Sequence, residues 1–113
     1  MTTIWHNPRC SKSRQTLALL HEHGETPAIR LYAEDAPTGA ELREVCAALE
    51  IAPIALMRTG EALFRELGLT RTDPDEALIA AMAAHPALIE RPVVLKGGKA
   101  ALGRPPEAVL EIL

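Results

Sequence analysis

Apolar and polar positions change period several times along the chain, and each change marks an element. Residues 2–5, TTIW, are β-branched and aromatic and stop at Asn7-Pro8, which predicts a short first strand. Leu17, Ala18 and Leu20 then supply an apolar stripe for a helix from Ser11 to His23, ended by Gly24. Ala28 to Tyr32 predicts a second short strand. Pro37-Thr38 opens a helix in which Leu42, Val45, Cys46 and Leu49 fall at i, i+3, i+4 and i+7, the spacing of one helix face. Residues 53–57 and 61–67 read as shorter helical pieces, closed by Gly60 and Gly68.

Asp73-Pro74 starts another helix, with Asp73 expected as N-cap and Pro74 at the first helical position, running to His85 before Pro86. Residues 91–95, RPVVL, read as a buried strand, Gly97-Gly98 as a hairpin turn, and residues 100–102 as the returning strand. Pro105-Pro106 begins a final helix containing Val109, Leu110 and Ile112. The order is strand–helix–strand, a helical block, then strand–strand–helix. Strands joined through a helix imply a parallel pair, and the later hairpin adds an antiparallel one. The expected fold is α/β, a small mixed sheet flanked by helices, in one domain over residues 1–113.

Composition narrows the function classes. A chain of 113 residues with 48% hydrophobic and 24% charged side chains is of ordinary globular make-up. A formal charge of −3 gives no general reason to bind nucleic acid or an anionic membrane. No stretch has the length of a membrane span and residues 1–8 lack the apolar run of a signal peptide, so the expected compartment is the cytoplasm. Cys10 and Cys46 do not make a disulfide scaffold, and in a reducing cytosol both are expected as thiols.

The candidate chemistry lies in residues 6–14, HNPRCSKSR, where one cysteine stands among His6, Arg9, Lys12 and Arg14. Such a cysteine is a nucleophile, a metal ligand, or merely a small apolar residue. Cys10 falls at a strand-to-helix turn, so its sulfur faces the first-turn amides, and a helix N-terminus stabilises an anion. The loop cations, with His6 as a further candidate, push the same way, and a lowered thiol pKa supplies thiolate at neutral pH. A polar turn bounded by proline is a poor place to bury a side chain, which favours function at Cys10. The apolar helical stripe reverses that reading for Cys46, which is expected in the core.

Spacing removes sharper alternatives. A phosphatase-type loop needs arginine six positions after the cysteine, where Thr16 stands. A dithiol pair needs a second cysteine where Ser13 stands. A structural zinc site needs four ligands, and only His6 accompanies Cys10 locally, His21 and His23 being at the far end of the helix. A single-cysteine mechanism remains, and an external thiol must complete any redox cycle.

The loop HNPRCSKSR, with Arg58 in ALMRTG, Arg91 in ERPVV and Arg104 in GRPPEAVLEIL, resembles the glutaredoxin-coupled arsenate reductase (ArsC) family from Ile4 to Leu113. The resemblance implies a thioredoxin/glutaredoxin-like fold with an inserted helical block. It implies that Cys10 is the nucleophile that attacks arsenate. His6, Ser13 and Arg14 match the residues that keep the thiol ionised and close the loop. Arg58, Arg91 and Arg104 match the arginines that bind the oxyanion and stabilise the arsenic intermediate, and Pro92 matches a cis-proline beside the site. Glutathione as co-substrate and glutaredoxin as partner follow from the same resemblance.

The chemistry makes independent sense, because a tetrahedral oxyanion needs donors that stay cationic, and arginine supplies them in a planar fork. No resident metal, nucleotide or flavin is implied, since there is no glycine-rich phosphate loop and no ligand cluster. Two other readings use the same residues: a glutathione-dependent thiol oxidoreductase with another substrate, and a redox-responsive regulator that docks on the transcription machinery. Ser13 counts against the regulator, because it breaks the two-cysteine switch such proteins use.

Overall fold

The computed structural model describes residues 1–113, which form two compact units: residues 1–35 with 91–113, and residues 36–90. The first carries a four-stranded sheet of β1 (Thr2–Trp5), β2 (Ala28–Arg30), β3 (Val93–Lys96) and β4 (Lys99–Leu102), in the order β2-β1-β3-β4. β1 and β2 are parallel and connected by α1 (Ser11–Glu22), while β3 runs antiparallel to both β1 and β4. The mixed sheet and the helix between its parallel strands are those read from the sequence.

One face of this sheet makes the core of the unit. Ile4, Leu20, Val94, Ala101 and Val109 are buried together, with Leu17, Leu19 and Ile112 packed against them. Ala18, expected on the apolar stripe, is exposed, and Leu19 takes its place at the core. Gly97 and Gly98 both take positive φ (56° and 79°), the geometry of a two-residue hairpin whose twist matches the strands. β2 is two residues shorter than expected, because the amides of Glu34 and Asp35 turn back onto the Leu31 carbonyl.

The C-terminal segment, Pro106–Ile112, is a 3₁₀ helix where an ordinary helix was expected. Its inward positions explain the difference: Pro106, Val109 and Ile112 recur every three residues, the 3₁₀ period.

The second unit holds α2 (Gly39–Leu49), α3 (Ala62–Glu66) and α4 (Asp75–Ala84), with 3₁₀ turns at Pro53–Leu56 and Pro86–Leu88. α2 is capped by a reciprocal pair: Thr38 Oγ1 accepts from the Glu41 amide at 3.1 Å, and Glu41 accepts from the Thr38 amide at 3.0 Å. Leu42, Val45 and Cys46 are buried as the helical spacing requires, and Leu49 is half-buried. α4 starts one residue later than expected, with Pro74 as its N-cap. Asp73 turns the other way, its carboxylate accepting from the amide and hydroxyl of Thr70 at 3.1 and 2.7 Å. No helix is long and apolar enough to cross a membrane.

Candidate active site

The loop between β1 and α1 is tied to itself. The Cys10 amide donates to the Asn7 carbonyl and the Arg9 amide to Asn7 Oδ1, each at 3.0 Å. Arg14 Nη1 donates to the Pro8 carbonyl at 2.8 Å. These bonds fix Cys10 as the N-cap of α1, in extended backbone (φ −95°, ψ 123°).

Beneath the loop, Ser13 is fully buried and its hydroxyl serves two neighbours. Oγ accepts the Asn7 amide at 3.0 Å and lies 2.6 Å from His6 Nδ1. His6 is only 7% exposed. Burial and the charge of Arg14 hold its pKa below the ordinary imidazole value, so it is neutral at pH 7. The reading of His6 as one of the loop's cations is therefore corrected: it is a buried, neutral neighbour of the Ser13 hydroxyl.

Cys10 itself is half-buried. Burial raises its pKa, but a hydrogen bond from Arg91, the amides of Ser13 and Lys12, and the charge of Arg91 outweigh it, and the thiol ends below its ordinary range. The guanidinium that lowers it thus comes from Arg91, not from the cations flanking Cys10 in the sequence. Arg104 arrives beside it, with Nη2 3.6 Å from Cys10 Sγ and Nε donating to the Arg91 carbonyl at 2.8 Å. Cys46 is the contrast: burial and the charge of Asp75 push its thiol up, as suits a core side chain.

Pro92 is buried and follows a cis peptide bond, as expected; Arg104-Pro105 is also cis, which the sequence reading did not anticipate. Arg58 belongs to the second unit, where its guanidinium pairs with Glu61 and, at 3.7 Å, with Glu90. It lines an open cleft of about 450 Å³ with Thr59 and Gly60. Two residues escaped the sequence reading. Thr16 is fully buried and donates to the Lys12 carbonyl at 2.8 Å, and Gly103 packs directly against it. A polar residue on the inner face of α1 and a glycine just before Arg104 were the available signals. No three His, Cys, Asp or Glu side chains come together as a metal site would need.

A cysteine whose thiol is held below its ordinary range beside two guanidinium groups has what a nucleophile needs, with anion donors at hand. The family model described as the ArsC family matches residues 5–112. The chain belongs to the ArsC family. An arsenate reductase of Haemophilus influenzae is 48% identical over 112 residues, covering 97% of each chain. The uncharacterized protein YfgD of Escherichia coli K12 is 50% identical, covering 97% of this chain and 94% of its own. The solved arsenate reductase of Vibrio cholerae superposes with a TM-score of 0.96 at 50% identity, covering 99% of this chain and 97% of that one. The ArsC match extends over both units, so the thioredoxin-like sheet and the helical block read from the sequence are the family's architecture.

Proposed function

We propose that this ArsC-family protein reduces arsenate to arsenite at Cys10, with glutathione and glutaredoxin supplying the electrons. The observation that carries the reading is Arg104 Nη2 3.6 Å from the Cys10 sulfur, with the Arg91 carbonyl holding Arg104 in place. A dianion approaching a thiolate is repelled, and guanidinium groups on the sulfur offset that repulsion.

The Cys10 thiolate attacks arsenic, and one arsenate oxygen leaves as water after protonation. A glutathione thiol then adds to the arsenic as a second oxygen leaves as water. The two sulfurs couple into a Cys10–glutathione disulfide and an electron pair stays on arsenic, reducing As(V) to As(III). The arsenic takes back one water and departs as arsenite. A glutaredoxin thiolate attacks the glutathione sulfur, and Cys10 leaves as thiolate, ready for another cycle. His6, Ser13 and Arg14 hold the loop that aims the sulfur, and Arg91 and Arg104 take the oxyanion; for Arg58 the support is the family resemblance of its ALMRTG segment alone. A glutathione-dependent cycle needs a reducing compartment, and the cytoplasm is the one we propose.

The test is arsenate-dependent NADPH oxidation coupled through glutathione, glutathione reductase and glutaredoxin. Turnover that requires arsenate, glutaredoxin and Cys10 together supports the reading. Arsenate-independent turnover of a disulfide substrate would move the protein to general thiol chemistry, and no turnover with either would remove the enzymatic reading.

A further inference from the structure

Just past β4, Gly103 meets α1 and Pro92 with no space to spare. A Cβ at this position would stand 2.6 Å from Pro92 Cγ and closer still to Thr16 Oγ1. Its φ lies outside the left-handed region, so space and not backbone freedom demands glycine. Neither neighbour yields easily. Thr16 is fully buried with its hydroxyl on the Lys12 carbonyl, and Pro92 is a buried ring. The Gly103 amide donates to the Pro92 carbonyl at 2.9 Å, and the next residue, Arg104, donates to the Arg91 carbonyl. One side of this joint is the helix that Cys10 caps, and the other carries Arg104, anchored on the Arg91 carbonyl.

We propose that Gly103 is a positioning residue: its missing side chain lets the turn bearing Arg104 seat against Thr16 and Pro92, and this seating sets Arg104 and Arg91 at Cys10. Carbon atoms in contact stand about 3.5–4.0 Å apart, so a methyl group at 103 has to move the turn by about 1 Å. Thr16 sits on the helix that Cys10 caps and Pro92 directly follows Arg91, so the displacement carries Arg104 away from the sulfur and from the Arg91 carbonyl that anchors it. A donor already 3.6 Å from Sγ then passes out of hydrogen-bond range. The effect on turnover rests on the arsenate reading; the effect on the thiol does not.

The experiment compares wild type, Gly103→Ala and Gly103→Ala/Thr16→Ala. Iodoacetamide alkylation of the Cys10 peptide is followed by mass spectrometry against pH, beside the arsenate KM and the melting temperature. Gly103→Ala should shift the alkylation midpoint upward and slow the reaction about tenfold below the wild-type midpoint, the loss of one charged hydrogen bond. The alkaline plateau should not fall, because a thiolate of higher pKa is the stronger nucleophile. The arsenate KM should rise in parallel, and the double variant, relieved of the Thr16 contact, should fall between. A lower melting temperature with unchanged midpoint and KM would make Gly103 a packing residue only and overturn the proposal. If the single variant fails to fold, a wild-type midpoint in the folded double variant overturns it equally. A shifted midpoint in a protein that reduces no arsenate would refute the substrate and leave the positioning role standing.

Discussion

Replacing Ser13 by alanine should separate what holds the Cys10 loop together from what ionises its sulfur. The hydroxyl is fully buried and shared by His6 Nδ1 at 2.6 Å and the Asn7 amide at 3.0 Å. Its removal leaves an imidazole nitrogen and a backbone donor without partners. A buried polar group left that way costs about 1–3 kcal/mol, and Asn7 lies nearer solvent, so the loss should total about 2–4 kcal/mol. For a chain of this size that lowers the melting temperature by roughly 8–16 °C, readable by circular dichroism and chemical denaturation. The thiol is served by the Ser13 amide, which alanine keeps, and by Arg91. Alkylation of Cys10 in the folded variant should therefore still titrate below the ordinary thiol value of about 8.5. A stability loss under about 0.5 kcal/mol, the range of an ordinary surface substitution, would refute the hydrogen-bond argument. A midpoint back at the ordinary value in folded Ser13→Ala would show that the hydroxyl, not the amide, serves the sulfur.

Cys10→Ser should abolish arsenate reduction while Cys46→Ser keeps most of it, since Cys46 lies in the core with its thiol pushed up; equal loss from both, with folding intact, would require a two-cysteine mechanism. Stability should depend on His6 in acid. The folded pKa of His6 lies below its unfolded value of about 6.5, so its contribution is present above that value and drains away as pH falls towards the folded one. Denaturant titrations should show this slope in wild type and lose it in His6→Gln, and an identical slope in both would refute the assignment. Arg58→Ala, Arg91→Ala and Arg104→Ala should each raise the arsenate KM or lower kcat by about ten- to hundredfold, with Arg→Lys intermediate. Normal kinetics in all three would remove them from arsenate binding, and the substrate assignment with them.

The local grammar of the chain is legible without coordinates because it depends on neighbours in sequence. Gly97-Gly98 turns a hairpin since both positions need positive φ, and Thr38 with Glu41 caps α2 over a spacing of three residues. The i, i+3, i+4 spacing is enough to bury Cys46. Cys10 at a strand-to-helix turn is legible for the same reason. Tertiary structure decided which charges serve that sulfur. The adjacent cations made an obvious case, yet the charged hydrogen-bond donors come from Arg91 and Arg104 across the fold, beside the local amides of Lys12 and Ser13, while His6 is buried and neutral. Solvation depends on what packs around a side chain, and no sequence period encodes it. Gly103 shows the same limit: nothing in its neighbours announces that a methyl group would strike Thr16 and Pro92, because that contact joins α1, the Arg91-Pro92 segment and the end of β4 only once the sheet has formed.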